Sequence, residues 1–197
     1  MASPGSPAEP RAPTPGSIIV ITGSPTRPSR TVGLASVVTA RLKREGFAVR
    51  ELHVRDLPAE ALLHAQFDHP EIKTALAAIE DAEGIVVASP VYKAAYAGML
   101  KAFLDLLPQF GLRHKIVLPL LTGGSLAHVL ALDYALRPVL QSLDPRLVVT
   151  GLFVLDKWIE LSPEGVKLSA DVEPRLELVT QTFIDALEKL PPELDQP

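Results

Sequence analysis

Residues 23–31 read GSPTRPSRT, and in that short stretch four hydroxyl side chains, Ser24, Thr26, Ser29 and Thr31, share space with Arg27 and Arg30. An apolar run, IIVIT (18–22), ends just before it, and a helical pattern starts at its far end. Backbone N–H groups at a helix start, hydroxyls and positive charge together make a phosphate cradle. The same residues allow a plainer arrangement, in which Ser29 caps the helix and the arginines are solvated. No Gly-Lys-Ser/Thr follows, so this is not a Walker loop, and the GxGxxG spacing of a dinucleotide site is missing. A single terminal phosphate therefore suits the loop better than a pyrophosphate. Charge-assisted hydrogen bonds contribute about 1.5–3 kcal/mol each, so a handful of them hold a mononucleotide without a lysine clamp.

Two further stretches have matching chemistry. SPVYKAAYAGMLK (89–101) sets Pro90, Val91, Tyr92 and Lys93 at the end of an apolar run. Tyr92 and Tyr96 supply flat faces there, and the small residues Ala94, Ala95, Ala97 and Gly98 let a planar ligand approach the backbone. In TGGSLAH (122–128), Thr122, Gly123, Gly124 and Ser125 precede a helix start. Outward N–H groups at such a place bond ring carbonyls or a developing negative charge. The plainer alternatives are a strand-to-helix turn with packed tyrosines and an ordinary glycine turn. His114, His128, Asp105 and Asp133 read as structural or solvated rather than as acid–base groups, and no cluster of metal ligands is evident. Glu51, near the end of the second apolar run, is a weak ribose ligand without the glycines that accompany one.

Five apolar runs must position these loops: 17–23, 47–54, 84–90, 115–123 and 147–155. They are continuous and β-branched, as expected of parallel strands buried on both faces. Pro90 is expected to stop the third. Helical patterns fill the gaps. The first carries Leu34, Val38 and Leu42, with Gly46 placed for a left-handed cap, and others span about 70–82, 97–107, 125–142 and 172–189. This alternation predicts an α/β flavodoxin-like three-layer sandwich with a five-stranded parallel sheet of order 2-1-3-4-5. In that order ligands bind beyond the strand ends, where the three loops lie. Residues 155–171 read as an irregular excursion, and the apolar third helix reads as packing on the sheet and in an oligomer interface.

Composition narrows the function classes. The chain has 197 residues, 47% hydrophobic and 21% charged, which fits one globular domain over 17–191 and not a disordered chain. A net charge of −4 leaves no basic surplus for nucleic acid or an anionic membrane. Without cysteine, thiolate catalysis, disulfides and cysteine-held metal centres are excluded. No segment reaches the roughly 18 consecutive apolar residues of a membrane span. Residues 1–16, with five prolines and no large apolar side chain, read as a disordered leader, and 192–197 as a tail. A cytoplasmic location is the default expectation.

At this point GSPTRPSRT, SPVYKAAYAGMLKAFLDLLP and KIVLPLLTGGSLAHVLALDYALRPVL, with the spacing between them, resemble the NAD(P)H-dependent FMN reductases of the alkanesulfonate-utilisation (SsuE) type over about 17–155. The resemblance implies a flavodoxin-like fold, FMN as cofactor or substrate, and NADPH or NADH as hydride donor. It also implies a homodimer or homotetramer, and delivery of reduced flavin to a partner monooxygenase that desulfonates organosulfonates. The implied cofactor-binding residues are Ser24, Thr26, Ser29, Arg30 and Thr31 in the first loop and Pro90, Val91, Tyr92 and Lys93 in the second. Thr122, Gly123, Gly124 and Ser125 complete the set in the third. Family loops read Gly-Ser-Pro-Arg, whereas Thr26 stands at the arginine position here and Arg27 follows it.

Pro138 lies inside the fourth helical pattern and has no N–H for the carbonyl of Tyr134, which predicts a kink or a π-bulge there. In the resembling reductases a tyrosine at this place sits in a π-helix at the subunit interface, which makes Tyr134 a candidate modulator of flavin retention. Hydride transfer between cofactors needs no protein nucleophile, in keeping with the missing catalytic constellation. Rival readings are a quinone or azo reductase with tightly bound FMN and a flavodoxin-type electron carrier. A receiver-type module lacks its acidic cluster.

Overall fold

The computed structural model describes residues 16–190. Apart from Gly16, the expected leader (1–16) and tail (192–197) lie outside the described residues. The apolar runs form the strands β1 (Ser17–Thr22), β2 (Ala48–His53), β3 (Gly84–Tyr92) and β5 (Ile116–Gly123), all parallel, in the spatial order β2-β1-β3-β5. A two-residue β4 (Ala95–Tyr96) folds back antiparallel on β3. The fold class is the one expected, a parallel sheet between two layers of helices, with two differences in the strands.

The fifth strand is broken in two, β6 (Leu147–Val148) and β7 (Leu152–Leu155), both alongside β5. Ile116 pairs with Leu147 but Leu120 with Leu152, so the outer strand takes up one extra residue opposite Pro119. Pro119 has no N–H for a ladder, and Gly151 passes so close that a Cβ there would lie 2.4 Å from the Pro119 carbonyl oxygen. Proline in a central strand thus imposes a bulge on its neighbour. The other difference is at Pro90. It does not end β3, which continues to Tyr92 with Pro90 opposite Thr122.

Helix α1 (Arg30–Arg44) starts where Ser29 Oγ accepts from the Val32 N–H and gives way at Gly46, whose φ is 90°. Its Leu34, Val38 and Leu42 are fully buried with Val20, Val86 and Leu118 on one face of the sheet. Burial of each such side chain contributes about 1.5–3 kcal/mol. Helix α6 (Glu173–Lys189) covers the same face through Phe183. On the other face lie α2 (Ala59–Leu63), α3 (Pro70–Glu80), α4 (Gly98–Leu104) and α5 (Arg137–Ser142), which bury Ile72, Leu100, Phe103 and Leu140 against Ile19, Ile85 and Val117. Among the described residues no helix is long and apolar enough to cross a membrane.

Three expectations change here. Helix α2 and the 3₁₀ turn Val54–Asp56 before it are additions, and they pack against α4. That packing leaves Leu100, Phe103, Leu104, Leu106 and Leu107 buried within the subunit, so α4 does not offer the apolar face expected for an oligomer interface. Residues 155–171 are not irregular. After a 3₁₀ turn (Asp156–Trp158) they form an antiparallel hairpin, β8 (Ile159–Ser162) and β9 (Gly165–Leu168). The single helix expected over 125–142 is three pieces: a 3₁₀ turn (Leu126–His128), a π-helix (Leu132–Leu136) and α5. The π-turn stands where Pro138 withholds its N–H from Tyr134, and there the Arg137 N–H reaches five residues back to the Leu132 carbonyl.

Candidate active site

The sheet order reverses between β1 and β3, and the loops leaving the C-terminal ends of β1, β3 and β5 meet beside that point. They enclose a cleft of about 660 Å³. Small-molecule sites commonly fall between roughly 300 and 1,000 Å³. The first loop brings Ser24, Thr26, Ser29, Arg30 and Thr31 to the cleft, with Pro28 added.

The hydroxyls of the first loop form a chain. Ser29 Oγ donates to Ser24 Oγ at 2.7 Å and accepts from the Val32 N–H at 3.2 Å, so one residue caps α1 and braces the loop floor. The plainer reading of Ser29 as a cap and the reading as a cradle are therefore the same geometry, because a capped helix start also presents its remaining amides. Thr31 Oγ1 lies 2.6 Å from Thr122 Oγ1, and both are buried, which ties the first loop to the end of β5. The two arginines diverge. Arg27, in cis linkage to Pro28, pairs with Asp56 outside the cleft lining, and Arg55 donates to the Thr26 carbonyl, so the turn after β2 pins the outer half of the loop. Arg30 lines the cleft, and its Nε donates to the Ile159 carbonyl at 3.2 Å.

The second loop is a tight hairpin. Val91 faces Tyr96 and Tyr92 faces Ala95, with Lys93 and Ala94 both at positive φ (51° and 65°). Two consecutive L-residues in that region store strain of about 1–2 kcal/mol each, held here by pairing on either side. Ser89, fully buried, accepts from the Ala97 N–H at 2.9 Å and anchors the base. Pro90, Val91 and Tyr92 line the cleft, whereas Lys93 stands exposed at the hairpin tip outside the lining. Burial pushes the Tyr96 phenol up from its ordinary value, and the Asp105 carboxylate adds to the shift, which keeps Tyr96 neutral.

In the third loop Thr122 and Gly123 line the cleft. Gly124 and Ser125 are exposed and next in the chain but outside the lining, and Ser125 Oγ accepts from the Ala127 N–H at 3.2 Å. The cleft has a fourth wall that the sequence reading missed, Asp156, Lys157, Ile159, Glu160 and Leu161. A signal for it existed in the predicted strand order. Gly123 pairs with Leu155, so whatever follows β7 must emerge beside the third loop.

The other polar residues singled out in the sequence are engaged elsewhere. Glu51 lies 3.7 Å from Lys43, Asp105 pairs with Lys101 at 2.5 Å, and Asp133 pairs with Arg137 at 2.9 Å. Tyr134, in the π-helix, is 78% exposed and stands with exposed Leu126, Val129 and Leu130 on one short segment that follows the third loop.

The chain is similar to known proteins along most of its length. An FMN reductase (NADPH) of Pseudomonas putida is 44% identical over 88% of this chain and 89% of its own length. One of Escherichia coli, of the same description, is 40% identical over 87% and 90%. Among solved structures, the apo form of an NADH:FMN oxidoreductase (EMOB) superposes with a TM-score of 0.81 at 45% identity, covering 89% of this chain and 92% of that one. Residues 17–160 match the NADPH-dependent FMN reductase family, and the chain belongs to that family.

Proposed function

We propose that the chain is an oxidoreductase that reduces FMN with NADPH or NADH, and that the three-loop cleft is where the flavin binds. The observation that carries this reading is the opening of the α1 N-terminus, with Ser24, Ser29 and Arg30, into a cleft of about 660 Å³ at the strand switch. The residues present fit the group: hydroxyls and amides with one arginine suit a terminal phosphate, and the apolar Pro90, Val91 and Tyr92 suit a ring.

Ser24, Thr26, Ser29, Arg30 and Thr31 hold the phosphate. Pro90, Val91 and Tyr92 would flank the ring from the second loop, with Thr122 and Gly123 beside it from the third, while Lys93, Gly124 and Ser125 would act from the rim, outside the cleft lining. Flavin supplies the hydride-accepting chemistry, so the chain's task is orientation and electrostatics. Fixed amide dipoles at the third loop favour negative charge on the ring side of the cleft. The strained Lys93–Ala94 turn keeps the second loop in one shape before ligand arrives.

The partner and the assembly follow from the same reading. Reduced flavin passes to a monooxygenase that acts on organosulfonates, a role supported by the sequence resemblance. Tyr134 and the exposed apolar residues around it form the subunit contact of a homodimer or homotetramer, where Tyr134 modulates how long flavin stays. Steady-state oxidation of NADPH and of NADH with added FMN tests the activity. Turnover that needs flavin is expected, and its absence with both nicotinamides overturns the reading. Flavin that co-purifies, together with quinones reduced faster than FMN, points instead to a quinone reductase.

A further inference from the structure

We propose that the β8–β9 hairpin is a buttress that aims Arg30 at the flavin phosphate, and so sets the preference of the cleft for phosphorylated over unphosphorylated flavin. The inference rests on the phosphate cradle proposed above and concerns what makes that cradle selective.

Arg30 is the first residue of α1 and is exposed, so its own helix does little to restrain the side chain. Ordering a mobile arginine when ligand binds opposes affinity. Here the Nε is already held by the Ile159 carbonyl at 3.2 Å, and among the described residues no ion pair competes for the guanidinium. A fork fixed through Nε has its orientation set, and the two Nη groups remain for a phosphate, which binds such a fork in bidentate fashion.

The carbonyl that does the holding is itself held. Ile159 is 2% exposed and pairs with Leu168 across the hairpin. The hairpin in turn rests on the first turn of α1 at Gly33. A Cβ there would lie 2.7 Å from Leu161 Cδ2 and 3.2 Å from Val166 Cγ2, so the absence of a side chain lets the hairpin sit flush one turn from Arg30. Ile159, Glu160 and Leu161 then form a cleft wall facing Ser24, Ser29 and Thr31. Charge does not explain that wall. Asp156, Lys157 and Glu160 bring more negative than positive charge to it, so the segment serves a phosphate by positioning Arg30 and not by its own attraction.

Titration of the full chain with FMN and with riboflavin, followed by flavin fluorescence, separates the phosphate contribution from the ring contribution. Gly33→Leu wedges the hairpin away, and Val166→Ala loosens it without changing α1 or the cleft lining. Both variants are expected to weaken FMN binding about tenfold and riboflavin binding by less than about twofold, as loss of one charge-assisted contact predicts. Arg30→Met is expected to match them, and Gly33→Leu added to Arg30→Met to cost nothing more. Circular dichroism confirms that each variant is folded, and Val166→Ala alone carries the test if the Gly33→Leu chain does not fold. Hairpin variants that leave FMN binding intact, or weaken both flavins equally, while Arg30→Met is selective for FMN, overturn the buttress and leave the cradle standing. An Arg30→Met change that weakens both flavins equally overturns the cradle, and the buttress with it.

Discussion

The two ends of strand β5 each have a cavity and cationic side chains, yet they differ in how those cations are used. At its C-terminal end Arg30 reaches the cleft with only its Nε engaged. At its N-terminal end a cavity of about 480 Å³, lined largely by Leu76, Ile79, Leu107 and Phe110, carries Lys115 and Arg113. Lys115 Nζ donates to the carbonyls of Glu80 and Ala82, both at 2.8 Å, and so satisfies the frayed end of α3. Arg113 stacks over Phe110 at 4.1 Å and pairs with Asp144 at 2.9 Å. A cavity with a cation beside it is therefore not by itself a binding site. Whether the cation's hydrogen bonds are already committed to the fold decides which end is scaffold and which end is free to take a ligand.

The comparison can be broken from either side. Lys115→Met should have the largest effect on stability, about 3 kcal/mol by chemical denaturation, because the part-buried Glu80 carbonyl and the buried Ala82 carbonyl both lose their donor. Flavin affinity should not change, and a loss of flavin binding would show the two ends to be coupled. Burial lowers the native pKa of Lys115 below its ordinary value, against the pull of Glu80, Asp81 and Glu83. Between the native value and the ordinary one the unfolded chain holds the proton and the folded chain has lost it. The lysine's contribution to stability consequently rises with pH across that window, and the variant should lose this rise.

Thr31→Val comes next. It leaves the buried Thr122 hydroxyl unpaired, at about 1–2 kcal/mol, and it should also weaken FMN binding, since the bond it removes joins two loops of the cleft. Ser29→Ala removes both a helix cap and the brace on Ser24, for about 1 kcal/mol of stability by thermal melting and a measurable rise in the KM for FMN. Arg27→Ala should do least. Its exposed pair with Asp56 contributes less than about 1 kcal/mol, and the KM for FMN should stay at its wild-type value if Arg30 alone serves the phosphate.

Where sequence reading succeeded and where it stopped has a physical pattern. Continuous β-branched runs and a four-residue apolar spacing report burial directly, so β1, β3, β5, α1, α3 and α6 were legible within a few residues. Two of the three loops gave the cleft most of their expected residues for the same reason, as strand ends in a parallel sheet must point one way. A break near Tyr134 was legible too, because the missing N–H of Pro138 is a local fact of covalent structure, while its π form was what the family resemblance implied. The hairpin at 159–168 was not, since its strands are half exposed and carry no continuous apolar run.

Residue types and order along the chain thus determined the fold class, the sheet order and the presence of a helix start rich in hydroxyls and arginines. The resemblance had placed Arg30 and not Arg27 in the first-loop set, but only the tertiary structure shows what separates them, turning one outward to Asp56 and holding the other in the cleft through Ile159. Those partners lie 29 and 129 residues away, and a contact so distant in sequence has no local pattern to announce it.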